Sequence, residues 1–153
     1  MLSTIIVDDE PSSCESLTIL LQKHCPDVQV KACCHTGAEA LRTINQLNPS
    51  LVFLDILLPE MNGFELMEQL APYQPDVIVV SGYDSYAIKA FQYNVVDYLL
   101  KPVETTQLLS ALHKVRMRIE DRINEQIAQL VQKVARLSYH GQIALPTFEG
   151  LQM

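Results

Sequence analysis

Five polar side chains each close a short apolar run: Asp8 and Asp9 after Ser3–Val7, Asp55 after Leu51–Leu54, Ser81 after Val77–Val80, and Lys101 after Tyr98–Leu100. Three carboxylates gathered at one place repel one another and raise each other's pKa unless a cation intervenes. A hard divalent ion with oxygen ligands and retained waters resolves that repulsion, which describes Mg2+. Lys101 adds a compact positive charge on a long stem, suited to a phosphate oxygen, and Ser81 adds a hydroxyl donor. Such a set suits phosphoryl transfer, where catalysis is positioning plus charge neutralisation. A carboxylate can be the nucleophile in that chemistry and become an aspartyl-phosphate. Taken singly, each residue has a plainer reading. Asp8-Asp9-Glu10 complements a helix dipole, Ser81-Gly82 makes a turn, and Lys101-Pro102 ends a strand. It is their shared placement that points to a site.

That placement depends on the elements. Leu51-Val52-Phe53-Leu54 has no polar alternation, as expected of a strand covered on both faces. Ser3–Val7, Val28–Cys33, Asp76–Ser81 and Val95–Leu100 read as four more strands. Between them, helical patterns start at Pro11-Ser12-Ser13, at Thr36 with Glu39 as a capping box, at Gly63 to Leu70, and at Asp84 to Tyr93; Glu104 opens the last helix. Pro72 and Pro75 bracket a turn. Strands and helices alternate five times. This predicts an α/β fold, a doubly wound five-stranded parallel sheet of flavodoxin-like order 2-1-3-4-5, with an extended C-terminal helix. In such sheets ligands bind beyond the carboxyl ends of the strands, where all five side chains fall.

Composition narrows the function classes. The net charge of −7 disfavours direct contact with a phosphate backbone, so this stretch is not expected to touch DNA itself. No apolar run is long enough to span a bilayer, and Met1-Leu2-Ser3-Thr4 lacks a basic leader, so a cytoplasmic location is expected. Cys14, Cys25, Cys33 and Cys34 form no Cys-x-x-Cys pair, and Cys33-Cys34-His35 has no second ligand pair for zinc. Reduced thiols used as small apolar residues are expected.

Over about residues 1–120 the sequence resembles a bacterial two-component response-regulator receiver domain. The resemblance is carried by Ile6-Val7-Asp8-Asp9-Glu10, Leu54-Asp55-Ile56 with Pro59 and Gly63, Val80-Ser81-Gly82, and Asp97-Tyr98-Leu99-Leu100-Lys101-Pro102. It implies that Asp55 accepts a phosphoryl group from a sensor histidine kinase. It also implies that Asp9, Asp55 and the Leu57 carbonyl bind Mg2+ directly, with Asp8 acting through water. Lys101 and Ser81 would hold phosphoryl oxygens, the Lys101–Pro102 bond would be cis, and Ser81 and Tyr98 would form the switch. Leu57 and Tyr83 would flank the pocket. The segment Tyr83-Asp84-Ser85-Tyr86-Ala87-Ile88-Lys89-Ala90-Phe91 is similar to the LytTR (LytR/AlgR) branch, which joins a receiver to a DNA-binding domain built mainly of strands.

The tail extends the pattern. Leu112, Val115, Ile119, Ile123, Ile127, Leu130, Val134 and Leu137 recur at steps of three and four, and nothing from Glu104 to Leu137 is Gly or Pro. This is a coiled-coil seam with one stutter, and it predicts a homodimer. The helix 4–strand 5–helix 5 face is a further dimer surface implied by the resemblance. The expected organisation is a receiver over 1–120, a helical extension over 121–140, and the start of a truncated output domain over 141–153. DNA contact would then belong to the missing output domain. An aspartyl phosphatase would want a second carboxylate two residues beyond Asp55, where Leu57 stands, so turnover of an external substrate is not expected. A flavin carrier is disfavoured because Asp8-Asp9-Glu10 replaces a phosphate-binding loop with negative charge. The alternative function is a stand-alone or phosphorylation-independent receiver acting as an interaction module.

Overall fold

The computed structural model describes residues 1–70 and 74–139. Part of the Pro72–Pro75 turn, and the expected output segment over 141–153, lie outside the described residues. The chain divides into two units, Met1–Val115 and a second that begins at Arg116.

In the first unit the elements run β1 Leu2–Val7, α1 Pro11–His24, β2 Val28–Cys34, α2 Gly37–Leu47, β3 Leu51–Leu54, α3 Gly63–Gln69, β4 Asp76–Ser81, α4 Ala87–Gln92, β5 Asp97–Leu100 and the start of α5, Thr105–Tyr139. The sheet is parallel throughout, in the order β2-β1-β3-β4-β5. All four residues of β3 are fully buried, as its unbroken apolar run requires. β4 is buried along its whole length. Only the edge strand β2 departs from regular register. Thr4 pairs with Val30 but Ile5 with Ala32, so Lys31 is the extra residue and points to solvent.

Local chemistry explains most boundaries. Pro11 occupies the first turn of α1, where its missing N–H removes nothing. Thr36 caps α2 by accepting from the Glu39 N–H at 3.1 Å. The reciprocal half of the expected capping box is displaced: Glu39 Oε1 accepts from the His35 N–H at 2.7 Å, one residue before the cap. A full capping box is instead found at Asn62 and Glu65, which opens α3. The fourth helix is shorter than its sequence pattern. Asp84 to Tyr86 form a turn with the Ala87 N–H donating to the Asp84 carbonyl, and Asn94 in a left-handed conformation follows the other end. Strand β5 begins at Asp97 rather than Val95, although the Val96 N–H still donates to Val77 O at 2.7 Å.

Gly63 shows how tightly α3 approaches the strand end carrying Asp55. A Cβ at this position would lie 3.0 Å from Ile56 Cα and 3.1 Å from the Asp55 carbonyl oxygen. Both are main-chain atoms of the β3–α3 turn, which cannot rotate away. Gly63→Ala is expected to destabilise the fold by about 1–3 kcal/mol, measured by urea denaturation, since overpacking forces backbone shifts.

Helix α5 contributes Leu108, Ala111, Leu112 and Val115 to the buried core of the first unit. The first two positions of the predicted seam, Leu112 and Val115, are therefore core residues. In the second unit, every residue from Asp121 to Leu130 is exposed, including Ile123, Ile127 and Leu130. Among the described residues no helix is long and apolar enough to cross a membrane.

Candidate functional site

β1 and β3 are neighbours and pair Val7 with Leu54, so the next residue of each strand, Asp8 and Asp55, emerges at the same level of the sheet. The Asp55 N–H donates to Val7 O at 2.9 Å, and the Asp8 N–H donates to Cys34 O at 2.9 Å. Both carboxylates are buried, Asp8 at 4% and Asp55 at 6% exposure. Lys101 crosses from the end of β5 and places Nζ between them, 2.7 Å from Asp8 Oδ2 and 3.0 Å from Asp55 Oδ2. The Lys101–Pro102 peptide is cis, as expected. The remaining oxygens are held by main chain: Asp8 Oδ1 accepts from Glu10 N–H and Asp55 Oδ1 from Leu57 N–H.

The electrostatics follow from burial set against pairing. Burial pushes Asp55 up from the ordinary carboxylate range, and the Lys101 and Leu57 hydrogen bonds only partly oppose it. Burial alone would lower Lys101, but its hydrogen bonds to Asp8 and Asp55 outweigh that and leave it raised. Two buried carboxylates thus converge on one cation.

Asp9, Glu10, Asp55, Leu57, Gly82, Tyr83 and Lys101 line one cavity of about 520 Å3. The Asp8, Asp9 and Glu10 carboxylates lie within 4.8 Å of one another. The donor set is hard oxygen only, which fits Mg2+ and does not suit a thiophilic ion. Glu10 belongs to this rim, with Oε1 4.0 Å from Lys101 Nζ, and was not among the residues expected from sequence. Its signal was present in the unbroken acidic triplet. Ser13 is a second unanticipated neighbour, its Oγ 3.4 Å from Lys101 Nζ.

Ser81 is fully buried at the end of β4, and its Oγ accepts from the Tyr83 N–H at 3.1 Å. The Tyr98 hydroxyl donates to the Tyr83 carbonyl, so both expected switch residues grip the same residue of the β4–α4 loop. Burial raises the Tyr98 phenol, which keeps it a neutral donor. Leu57 and Tyr83 are exposed at the mouth of the cavity. The four cysteines are free thiols. His35 reaches the site itself, with Nδ1 2.8 Å from the Asp8 carbonyl oxygen.

Comparison with known proteins agrees with this geometry. The family model for the response regulator receiver domain matches residues 4–113. The chain is 36% identical over 140 residues to the transcriptional regulatory protein BtsR of Salmonella typhi, covering 91% of this chain and 57% of that protein. It is 42% identical over 115 residues to an uncharacterized response regulatory protein of Vibrio cholerae, covering 74% of this chain and 48% of that one. The chain therefore spans about half the length of the curated relatives it matches. Among solved structures, the REC domain of AraT, a response regulator from Geobacillus stearothermophilus, superposes with a TM-score of 0.72 at 30% identity, covering 79% of this chain and 97% of that one. With its doubly wound sheet, its acidic strand ends and a family match over most of its length, the chain belongs to the response-regulator receiver domains of bacterial two-component systems.

Proposed function

We propose that this chain is the phosphoacceptor receiver of a LytTR-type transcription regulator, with Asp55 taking a phosphoryl group from the phosphohistidine of a sensor kinase in the cytoplasm. The observation that carries this reading is Lys101 Nζ held between Asp8 and Asp55, with Asp9 and Leu57 on the same cavity. An Asp55 carboxylate oxygen attacks phosphorus, the O–P bond forms and the P–N bond to the kinase histidine breaks. Lys101 and Ser81 receive the phosphoryl oxygens. Ser81 must then give up the Tyr83 N–H, and Tyr98 can follow it by releasing the Tyr83 carbonyl. Asp9, Asp55 and the Leu57 carbonyl would hold Mg2+, with Asp8 acting through a water, and the ion would supply charge neutralisation for the phosphoryl oxygens. Leu57 stands where a phosphatase would carry its acid, so the chemistry stops at the phosphorylated domain rather than turning over an external substrate. Incubation with acetyl phosphate and Mg2+ is expected to add one phosphoryl mass to the intact chain. No gain under these conditions contradicts the reading.

The output is proposed to be assembly. Ile88, Phe91, Leu100 and Leu109 are exposed on α4, β5 and α5, and Ile123, Ile127 and Leu130 are exposed on the distal part of α5. Either surface suits a second copy of this chain. DNA contact is assigned to an output domain in the further length that relatives such as BtsR possess. Sedimentation with beryllofluoride and Mg2+ is expected to shift the chain from monomer toward dimer. Ile127→Lys with Leu130→Lys should weaken that dimer about 10-fold or more by burying charge in the seam. A dimer of equal strength with and without beryllofluoride favours the phosphorylation-independent interaction module instead.

A further inference from the structure

Asp9 presents a structural problem. Its carboxylate is exposed and makes no hydrogen bond among the described residues, whereas Asp8 and Asp55 are fixed by Lys101 and by main-chain N–H groups. The position of Asp9 must therefore come from its backbone. The peptide that leads into it carries the Asp8 carbonyl, and that oxygen has two side-chain partners drawn from different elements. His35 Nδ1, from the β2–α2 loop, lies at 2.8 Å, and Cys14 Sγ, from α1, lies at 3.8 Å. A carbonyl only accepts, so His35 carries its proton on Nδ1. His35 is itself tied down, with its N–H donating to Glu39 Oε1 at 2.7 Å. The Cys14 thiol is pushed up to about 12, first by burial, so it stays a neutral donor.

We propose that His35 is a positioning residue for cation binding, its Nδ1–H bond to the Asp8 carbonyl orienting the peptide that sets Asp9. It sits 27 residues from Asp8 in sequence and touches neither phosphoryl group nor cation. Its effect is to remove a rotation that the acidic turn would otherwise have to lose on binding. Removing a group that orients a metal ligand typically costs about 10- to 100-fold in metal affinity. The inference rests on the Mg2+ role proposed above.

The test compares Mg2+ binding by calorimetry for the full chain and for His35→Ala and His35→Asn. Asn places an amide N–H where Nδ1 stands and so conserves the donor. His35→Ala is expected to weaken Mg2+ about 10-fold, and His35→Asn to restore most of that loss. The rate of phosphorylation by acetyl phosphate should fall in His35→Ala at limiting Mg2+ and recover at saturating Mg2+. A purely structural contribution would persist at saturation. Equal Mg2+ affinity in His35→Ala and wild type, or equal losses in the Ala and Asn variants, overturns the inference while leaving the receiver reading intact. A wild-type chain that binds no Mg2+ overturns both.

Discussion

Asp55→Asn is expected to abolish phosphoryl incorporation and also to raise thermal stability. The amide cannot attack phosphorus, and of the two buried carboxylates that contact Lys101 only Asp55 lines the cavity shared with Asp9, Leu57 and Tyr83. Asp9 and Glu10 share the cavity but lie on its rim, and Asp8 Oδ2 is held by Lys101 at 2.7 Å. The stability change follows from linkage. The folded-state pKa of Asp55 is raised, chiefly by burial, so ionisation works against the fold. The penalty is absent below the unfolded carboxylate value and fully present once pH has passed the raised folded value. At neutral pH an uncharged Asn escapes it. Intact-mass spectrometry after acetyl phosphate treatment checks the first effect, and a thermal melt at neutral pH checks the second. A residual phosphoryl gain in the variant, equal to that of wild type, contradicts the assignment of the acceptor.

Lys101→Ala has the opposite structural consequence. It leaves Asp8 and Asp55 buried side by side without their cation. Breaking a buried ion pair by removing one partner typically costs about 3–5 kcal/mol. Lys101 retains 23% side-chain exposure, which moderates the loss toward about 3 kcal/mol here. Mg2+ should recover more stability in the variant than it adds to wild type, because the ion replaces a missing charge. The wild-type contribution of Lys101 has a defined pH window. Its folded pKa is raised above the ordinary value of 10.5, so the stabilisation is complete below that value and is lost only as pH rises through the folded one. Urea denaturation of both proteins, with and without Mg2+, measures all three effects. An unchanged midpoint in Lys101→Ala would show that the carboxylates are not coupled through this ammonium.

How much of this was legible in the chain depends on distance along it. Asp8, Asp55, Ser81 and Lys101 could be placed because each closes a short apolar run that reads as a strand, and parallel strands deliver their carboxyl ends to one edge. The sheet order followed from the same alternation. The end of β3 and the start of α1 were fixed by local residues, Asp55 and Pro11. The fourth helix starts later than its pattern suggests because Asp84-Ser85-Tyr86 has a composition that serves a turn as readily as a helix start. The Thr36–Glu39 pattern was half right, since spacing does not reveal that His35 offers a competing N–H to Glu39. In the sequence His35 stands out only as a neighbour of two cysteines. Its bond to Asp8 joins two loops that become neighbours only after β1 and β2 pair, so no local pattern encodes it. Ser13 is hidden for a related reason, because its contact depends on the direction taken by the Lys101 side chain, whereas Glu10 is legible in the acidic triplet.

The location of the phosphoryl group is the most direct test of the account. The wild-type chain is phosphorylated with acetyl phosphate and Mg2+, reduced with borohydride, and digested for peptide mass analysis. Borohydride reduces an aspartyl-phosphate to homoserine, so the account predicts that product at position 55 alone and only in samples that contained Mg2+. Reduction at any other carboxylate, or labelling that proceeds equally when Mg2+ is chelated, would contradict it.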